Sequence, residues 1–263
     1  MKDSPTRERQ DQLGKRILII VGLVAMGLIA TKLVLDLRRP ELVENLCPKD
    51  GPLKEVVVLV DRTDPFTETQ RKFVTQWIST VGQRLNQYER LSLYGLSSDE
   101  SSWNAEPIFS QCSPGSQANE LYQTKSKVRS AYLKSFEGPL NIALSEILTN
   151  AVHSSSPIME MVFSISRRPE LSGRVPERHF VIVSDMMQNS KDYTQYKLPI
   201  DYREFAKSPF SRTHNFGLER AAISILYLER QSLQNYQNSA HVEFWERWFS
   251  DKGARIVEVV SIR

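Results

Sequence analysis

Two carboxylates in this chain each end an apolar, β-branched run. Val56–Val60 (VVVLV) stops at Asp61, with Thr63 and Asp64 just beyond, and His179–Ser184 (HFVIVS) stops at Asp185. Parallel strands buried on both faces read as continuous apolar runs. In open α/β sheets, ligands sit beyond the carboxyl ends of such strands. Asp61, Thr63 and Asp185 are therefore candidate oxygen ligands for a hard cation such as Mg²⁺, with Asp64 as a further candidate. Mg²⁺ keeps several of its waters. One direct carboxylate, one hydroxyl and a water-bridged second carboxylate would suffice, with a partner's carboxylate completing the shell. The plainer reading is that Asp61 and Asp64 only cap the turn and helix that follow. Pro65 restricts Asp64 to extended conformations and stiffens this turn.

The same acids admit an enzymatic alternative. Asp61, Asp64 and Asp185 together would form the metal cluster of a phosphoesterase or nuclease-type hydrolase. A two-metal site needs carboxylates that hold ions about 4 Å apart. The Asp-x-Asp-x-Thr pattern fails, because Thr63 stands in the second acidic place, and no Lys/Arg motif for phosphate accompanies the acids. His153, His179, His214 and His241 make no zinc spacing, and Ser184 lies in no nucleophile elbow. His179 reads as a strand-start residue and the other three as loop or helix-surface residues. A third option is a structural protein whose edge carboxylates bind nothing.

The elements that position these groups follow an N-terminal segment of a different kind. After a short basic tail (1–16: Lys2, Arg7, Arg9, Lys15, Arg16), residues 17–35 form an apolar run whose one charge is Lys32. About nineteen residues suffice to cross a hydrocarbon core of roughly 30 Å. The run is long for a signal peptide and lacks a small-residue cleavage pattern, so a retained single-pass anchor is expected. The basic tail leans toward a cytoplasmic N-terminus and a periplasmic body. Residues 1–39 hold eight Lys/Arg and four Asp/Glu, leaving twenty-six against twenty-seven for the rest. The basic balance thus belongs to the anchor arm, and no nucleic-acid footprint is expected. Cys47 and Cys112 fall in expected loops; a bridge in an oxidising compartment and two separate thiols both fit.

Beyond a linker (36–52), residues 53–263 suffice for one α/β domain. Strands are expected at 55–60, 91–96, 107–111 (an edge), 179–184, 223–228 and 255–261. Thr67-Glu-Thr-Gln70 has the form of a capping box opening a helix to Leu85. Further helices are read at 120–136 and 140–152, interrupted at Gly138-Pro139, then at 158–165 and 240–250. Strands alternating with helices predict a doubly wound, mostly parallel six-stranded sheet. Phe244, Trp245, Trp248 and Phe249 form two adjacent stripes, read as a helix packed on the sheet, with an exposed docking face as the alternative. The polar, aromatic-rich stretch 188–216 follows Asp185 and should rise over the same edge. It supplies the candidate partner contacts Gln188, Tyr193, Tyr196 and Tyr202, joined by Asp64 and Pro65.

Residues 53–263 resemble a von Willebrand factor A (vWA) domain. In that family the first strand ends in Asp-x-Ser-x-Ser, a later loop supplies a Thr, and another strand ends in a Thr-Asp-Gly-like turn. Together these build a metal-ion-dependent adhesion site. Asp61-Arg-Thr63-Asp-Pro65 matches the first two positions, with Pro65 in place of the third hydroxyl. Val183-Ser-Asp185-Met matches the late Asp without its Gly. Gly138-Pro-Leu-Asn-Ile-Ala-Leu is similar to the Thr loop but holds no Thr. The resemblance implies a Rossmann-like fold, with a degenerate cation site that holds Mg²⁺ or no cofactor at all. It further implies protein–protein interaction within a bacterial membrane-associated assembly, with no chemistry of the chain's own.

Overall fold

The computed structural model describes residues 5–37, 40–96, 106–117, 124–149, 155–169, 176–197, 199–214 and 216–263. His153 and the expected helix start at Glu120 lie outside them. The chain divides into two units, residues 1–41 and 42–263. The first is helix α1 (Pro5–Leu37). Its stretch Gly14–Val34 is exposed throughout, and its 21 residues are long and apolar enough to cross a membrane.

The second unit is built on six strands: β1 (Glu55–Val60), β2 (Arg90–Gly95), β3 (Phe109–Cys112), β4 (Arg178–Ser184), β5 (Ala222–Leu228) and β6 (Arg255–Ile262). Their order is β3-β2-β1-β4-β5-β6. All neighbours are parallel except β3, which runs antiparallel at one edge. This is the doubly wound α/β architecture expected from the sequence, and it is consistent with a vWA-like, Rossmann-type fold. The strand order reverses between β1 and β4, so the crevice of such a sheet opens above their carboxyl ends.

The alternation of β1 shows why its sequence is apolar without a break. Val57 and Leu59 enter one core with Phe180, Ile182, Ile223 and Ile225. Val56, Val58 and Val60 enter the other with Leu91, Leu93, Val181 and Val183. Helix α5 (Ile158–Ser166) and helix α8 (Ser239–Asp251) cover the first face. Helix α2 (Glu68–Arg84) and helix α4 (Gly138–Ile147) cover the second. The four aromatics of α8 are buried against the sheet, which settles their role as core. The capping box of α2 is present in both directions, between Thr67 and Gln70.

One expectation is corrected. Gly138-Pro139 does not separate two helices. Helix α3 (Lys125–Tyr132) passes into α4 through a single π turn at Leu133–Glu137. Proline cannot donate a backbone bond and crowds the carbonyl four residues back; the wider turn relieves this. A Cβ at position 138 would lie 2.8 Å from the Leu133 carbonyl oxygen, so the turn also requires glycine.

Cys47 and Cys112 are joined by a disulfide. It staples the segment before β1 to edge strand β3, where Cys112 N–H donates to the Asn45 carbonyl at 2.9 Å. The bridge spans 65 residues, and chain entropy assigns a loop of that length about 4 kcal/mol. Reduction, or Cys47→Ser with Cys112→Ser, should lower the unfolding free energy of the full chain by that order. Denaturant titration with and without reductant checks it; equal midpoints would refute it.

Candidate functional site at the carboxyl edge of strands β1 and β4

Asp61 follows β1 and is buried, its N–H bonded to the Val183 carbonyl of β4 at 2.8 Å. Its carboxylate receives four donors. Oδ1 accepts from the Thr63 N–H at 3.0 Å and the Thr63 hydroxyl at 2.7 Å. Oδ2 accepts from the Ser184 hydroxyl at 2.7 Å and the Ser156 hydroxyl at 2.9 Å. A carboxylate offers about four lone-pair sites, so Asp61 is saturated by its own chain. The turn-capping role open to Asp61 in the sequence is realised through Thr63.

Asp185 follows β4 and is also buried. Oδ1 accepts from the Met187 N–H at 2.9 Å. Burial, followed by the neighbouring Asp61 charge, pushes its carboxyl up to about 8. The next residue, Met186, stands at φ 62°. Non-glycine residues adopt this left-handed region at a cost of roughly 1–2 kcal/mol, and the family pattern has Gly after the late Asp. Here the turn is held from all sides. Met186 N–H donates to Ser184 Oγ at 2.8 Å. Its carbonyl accepts from Trp245 Nε1 at 2.9 Å and lies 3.0 Å from His241 Nε2. The Met186 side chain is wholly buried.

Arg230, just past β5, reaches over this edge. Its Nη1 donates to the Pro65 carbonyl at 2.8 Å and to Gln70 Oε1 at 3.3 Å. Its Nε lies 4.0 Å from Asp185 Oδ2. Gln237 fixes the arrangement from behind: its Oε1 accepts from Arg230 N–H, and its Nε2 donates to the Asp185 and Leu228 carbonyls.

Asp61, Thr63 and Asp185 are therefore brought together, with Asp64 half-buried and Pro65 exposed on the loop above. Several sequence expectations change. The hydroxyl that comes to Asp61 from a later loop is Ser156, just before α5. The Gly138 stretch lies within helix, and α4 runs past it to place Ile147 against Gly95 at the end of β2. Gln188, expected on the contact surface, is fully buried. It accepts from Met159 N–H and donates to Glu160 Oε2, each within 2.9 Å. Tyr193 packs inward between Phe205, Phe210 and Phe244. Tyr202 is half-buried beside Phe244 and donates to Asp251. Tyr196 is 41% exposed and packs on Tyr236. The 188–216 stretch is ordered by helix α6 (Tyr202–Lys207) and helix α7 (Pro209–Thr213). His241 is not on a helix surface: it is buried, with Tyr227 Oη 2.8 Å from Nδ1, and burial lowers it to about 4.

Sequence reasoning missed Ser156, Arg230 and Gln237, which stand far along the chain in no motif. Ser184 carried a usable signal, sitting directly before Asp185. The donor set differs from a hard cation's shell. Asp61 is saturated, Asp185 faces a guanidinium, and no group of three or more His, Cys, Asp or Glu that could hold a metal occurs among the described residues. The cluster a two-metal hydrolase requires is likewise not assembled from Asp61, Asp64 and Asp185.

Two predictions follow from this geometry. Ser184→Ala removes a bond to a buried carboxylate and leaves Met186 N–H unsatisfied, costing about 2–3 kcal/mol; chemical denaturation would measure it. For pH, Asp185 holds its proton up to about 8 when folded, against 3.8 for the ordinary carboxyl. The native state thus binds the extra proton between these values, and stability falls as pH rises through them. His241 acts oppositely, adding stability as pH rises from about 4 to 6.5. Between 6.5 and 8 only the fall assigned to Asp185 remains of these two. Asp185→Asn should abolish that fall in a pH series of melting curves; an unchanged slope would refute the assignment.

No protein-family model matches the chain, and no curated protein matches its sequence. Solved structures do share similarity. A conserved hypothetical protein BatB from Bacteroides thetaiotaomicron has 11% identity, covering 79% of this chain and 91% of that one, with a TM-score of 0.42. An aerotolerance-related membrane protein from Bacteroides fragilis, carrying multiple mutations to serine, has 10% identity, with 80% and 92% covered and a TM-score of 0.34. Likeness at this level carries no inference about activity or partners.

Proposed function

We propose that this chain is a membrane-anchored, vWA-like protein–protein interaction module of a bacterial membrane-associated assembly, with no chemistry of its own. One observation carries the reading. The carboxyl edge of β1 and β4 is braced by internal hydrogen bonds, and above it Asp64, Pro65 and Tyr196 stand at a preorganised surface. Binding to a surface already in its bound form avoids the ordering cost of a flexible one. The exposed apolar stretch 14–34 supports the anchor. The Cys47–Cys112 bridge supports an oxidising compartment, hence a periplasmic domain with the N-terminus in the cytoplasm.

The test uses the full chain in its native membrane. A photoreactive residue at Pro65 or Tyr196 should yield one discrete cross-linked protein adduct, and the same residue at exposed Lys72 on α2 should not. Equal, diffuse labelling from all three positions would sink the reading. A reporter fused after Arg263 and active only in the cytoplasm would overturn the orientation.

A further inference from the structure

We propose that Arg230 is the resident cation of this edge, so that the crevice beside Asp185 holds a guanidinium and not a divalent metal. Asp61 and Asp185 are each only 4% exposed at adjacent strand ends. Two buried carboxylates in one crevice need a positive charge or a proton, because an uncompensated buried charge is strongly destabilising. Arg230 stands beside Asp185, with a side chain 14% exposed and its Nε 4.0 Å from Asp185 Oδ2.

The guanidinium also does the bridging that a metal would do between loops. Its planar fork can address several acceptors at once. Nη1 reaches the Pro65 carbonyl on the loop after β1 and Gln70 Oε1. Gln70 itself closes the capping box of α2. Gln237 joins the Arg230 backbone to the Asp185 carbonyl at the end of β4. The side chains of Arg230 and Gln237, both beyond the end of β5, thereby tie the β1 loop, the start of α2 and the β4 turn. The hydroxyls of Thr63, Ser156 and Ser184 are turned to Asp61 as donors, so Asp61 is satisfied by protons supplied from the chain. A side-chain cation is not removed by chelation, and the edge keeps its shape whatever the free metal concentration.

The experiment is thermal unfolding of the full chain in detergent, followed by tryptophan fluorescence, with EDTA or with millimolar Mg²⁺ or Mn²⁺ as the probe. The wild type should melt at one temperature in all three. Arg230→Met should melt lower and should gain a divalent-cation response, rising by roughly 5 °C or more at saturating metal. Adding Asp185→Asn to that variant should remove the response. A wild type stabilised by metal or weakened by EDTA would overturn the proposal, as would a folded Arg230→Met that stays indifferent to metal. Should Arg230→Met not fold, the wild-type titration still decides. No partner is involved, so the outcome is separate from that of the cross-linking test.

Discussion

The buried carboxylate of Asp61 is the constraint on which the upper edge of this domain depends. Its four donors come from three places: Thr63 on the following loop, Ser156 before α5 and Ser184 at the end of β4. A carboxyl group at 4% exposure must be matched in this way. Matching it draws together segments 95 and 123 residues apart in sequence. The site and the fold are therefore one construction. The bonds that make Asp61 tolerable also set where the loops stand.

A parallel arrangement serves the opposite edge. Glu55, at the start of β1, is buried and paired with Arg90 of β2, and its other oxygen accepts from Ser92 at 2.6 Å. Ser92 in turn contacts Ser110 of β3 at 3.0 Å. A one-residue slip between β1 and β2 would turn one of these groups into the apolar layer. Strand β1 thus carries a register-setting acid at each end, with five apolar residues between them filling both cores. Polar groups satisfied at both ends of a central strand favour one alignment over its neighbours.

Between these edges the first core is dominated by aromatics, and it reaches the site directly. Trp245 and His241 of α8 bond or approach the Met186 carbonyl, so the packing of α8 holds Met186 in its left-handed turn. A Met can occupy a position suited to glycine because its side chain is buried and its backbone is bonded on both sides. The strain is local, and what offsets it comes from distant elements.

Much of the fold was legible in the chain itself. Unbroken apolar runs, the capping box, the aromatic stripes of α8 and an apolar stretch of membrane-crossing length are local patterns, and local patterns follow from backbone geometry and burial. The candidate carboxylates were legible for the same reason, since a charge ending a buried strand marks its ligand edge. What surrounds them was not. Ser156, Arg230 and Gln237 belong to loops whose positions depend on crossovers, and no spacing rule connects residue 61 to residues 156 or 230. The inward turn of Gln188 and Tyr193 was equally hidden, because polar residues in a long loop look exposed until the aromatic layer beneath them is placed. His241 looked like a surface residue until the face of α8 that meets the sheet was known. The sequence by itself determined a sheet with two acids at its crevice. Only the tertiary structure decided that those acids meet hydroxyls and a guanidinium, because hydrogen-bond satisfaction in a buried crevice is settled by groups far apart in the chain.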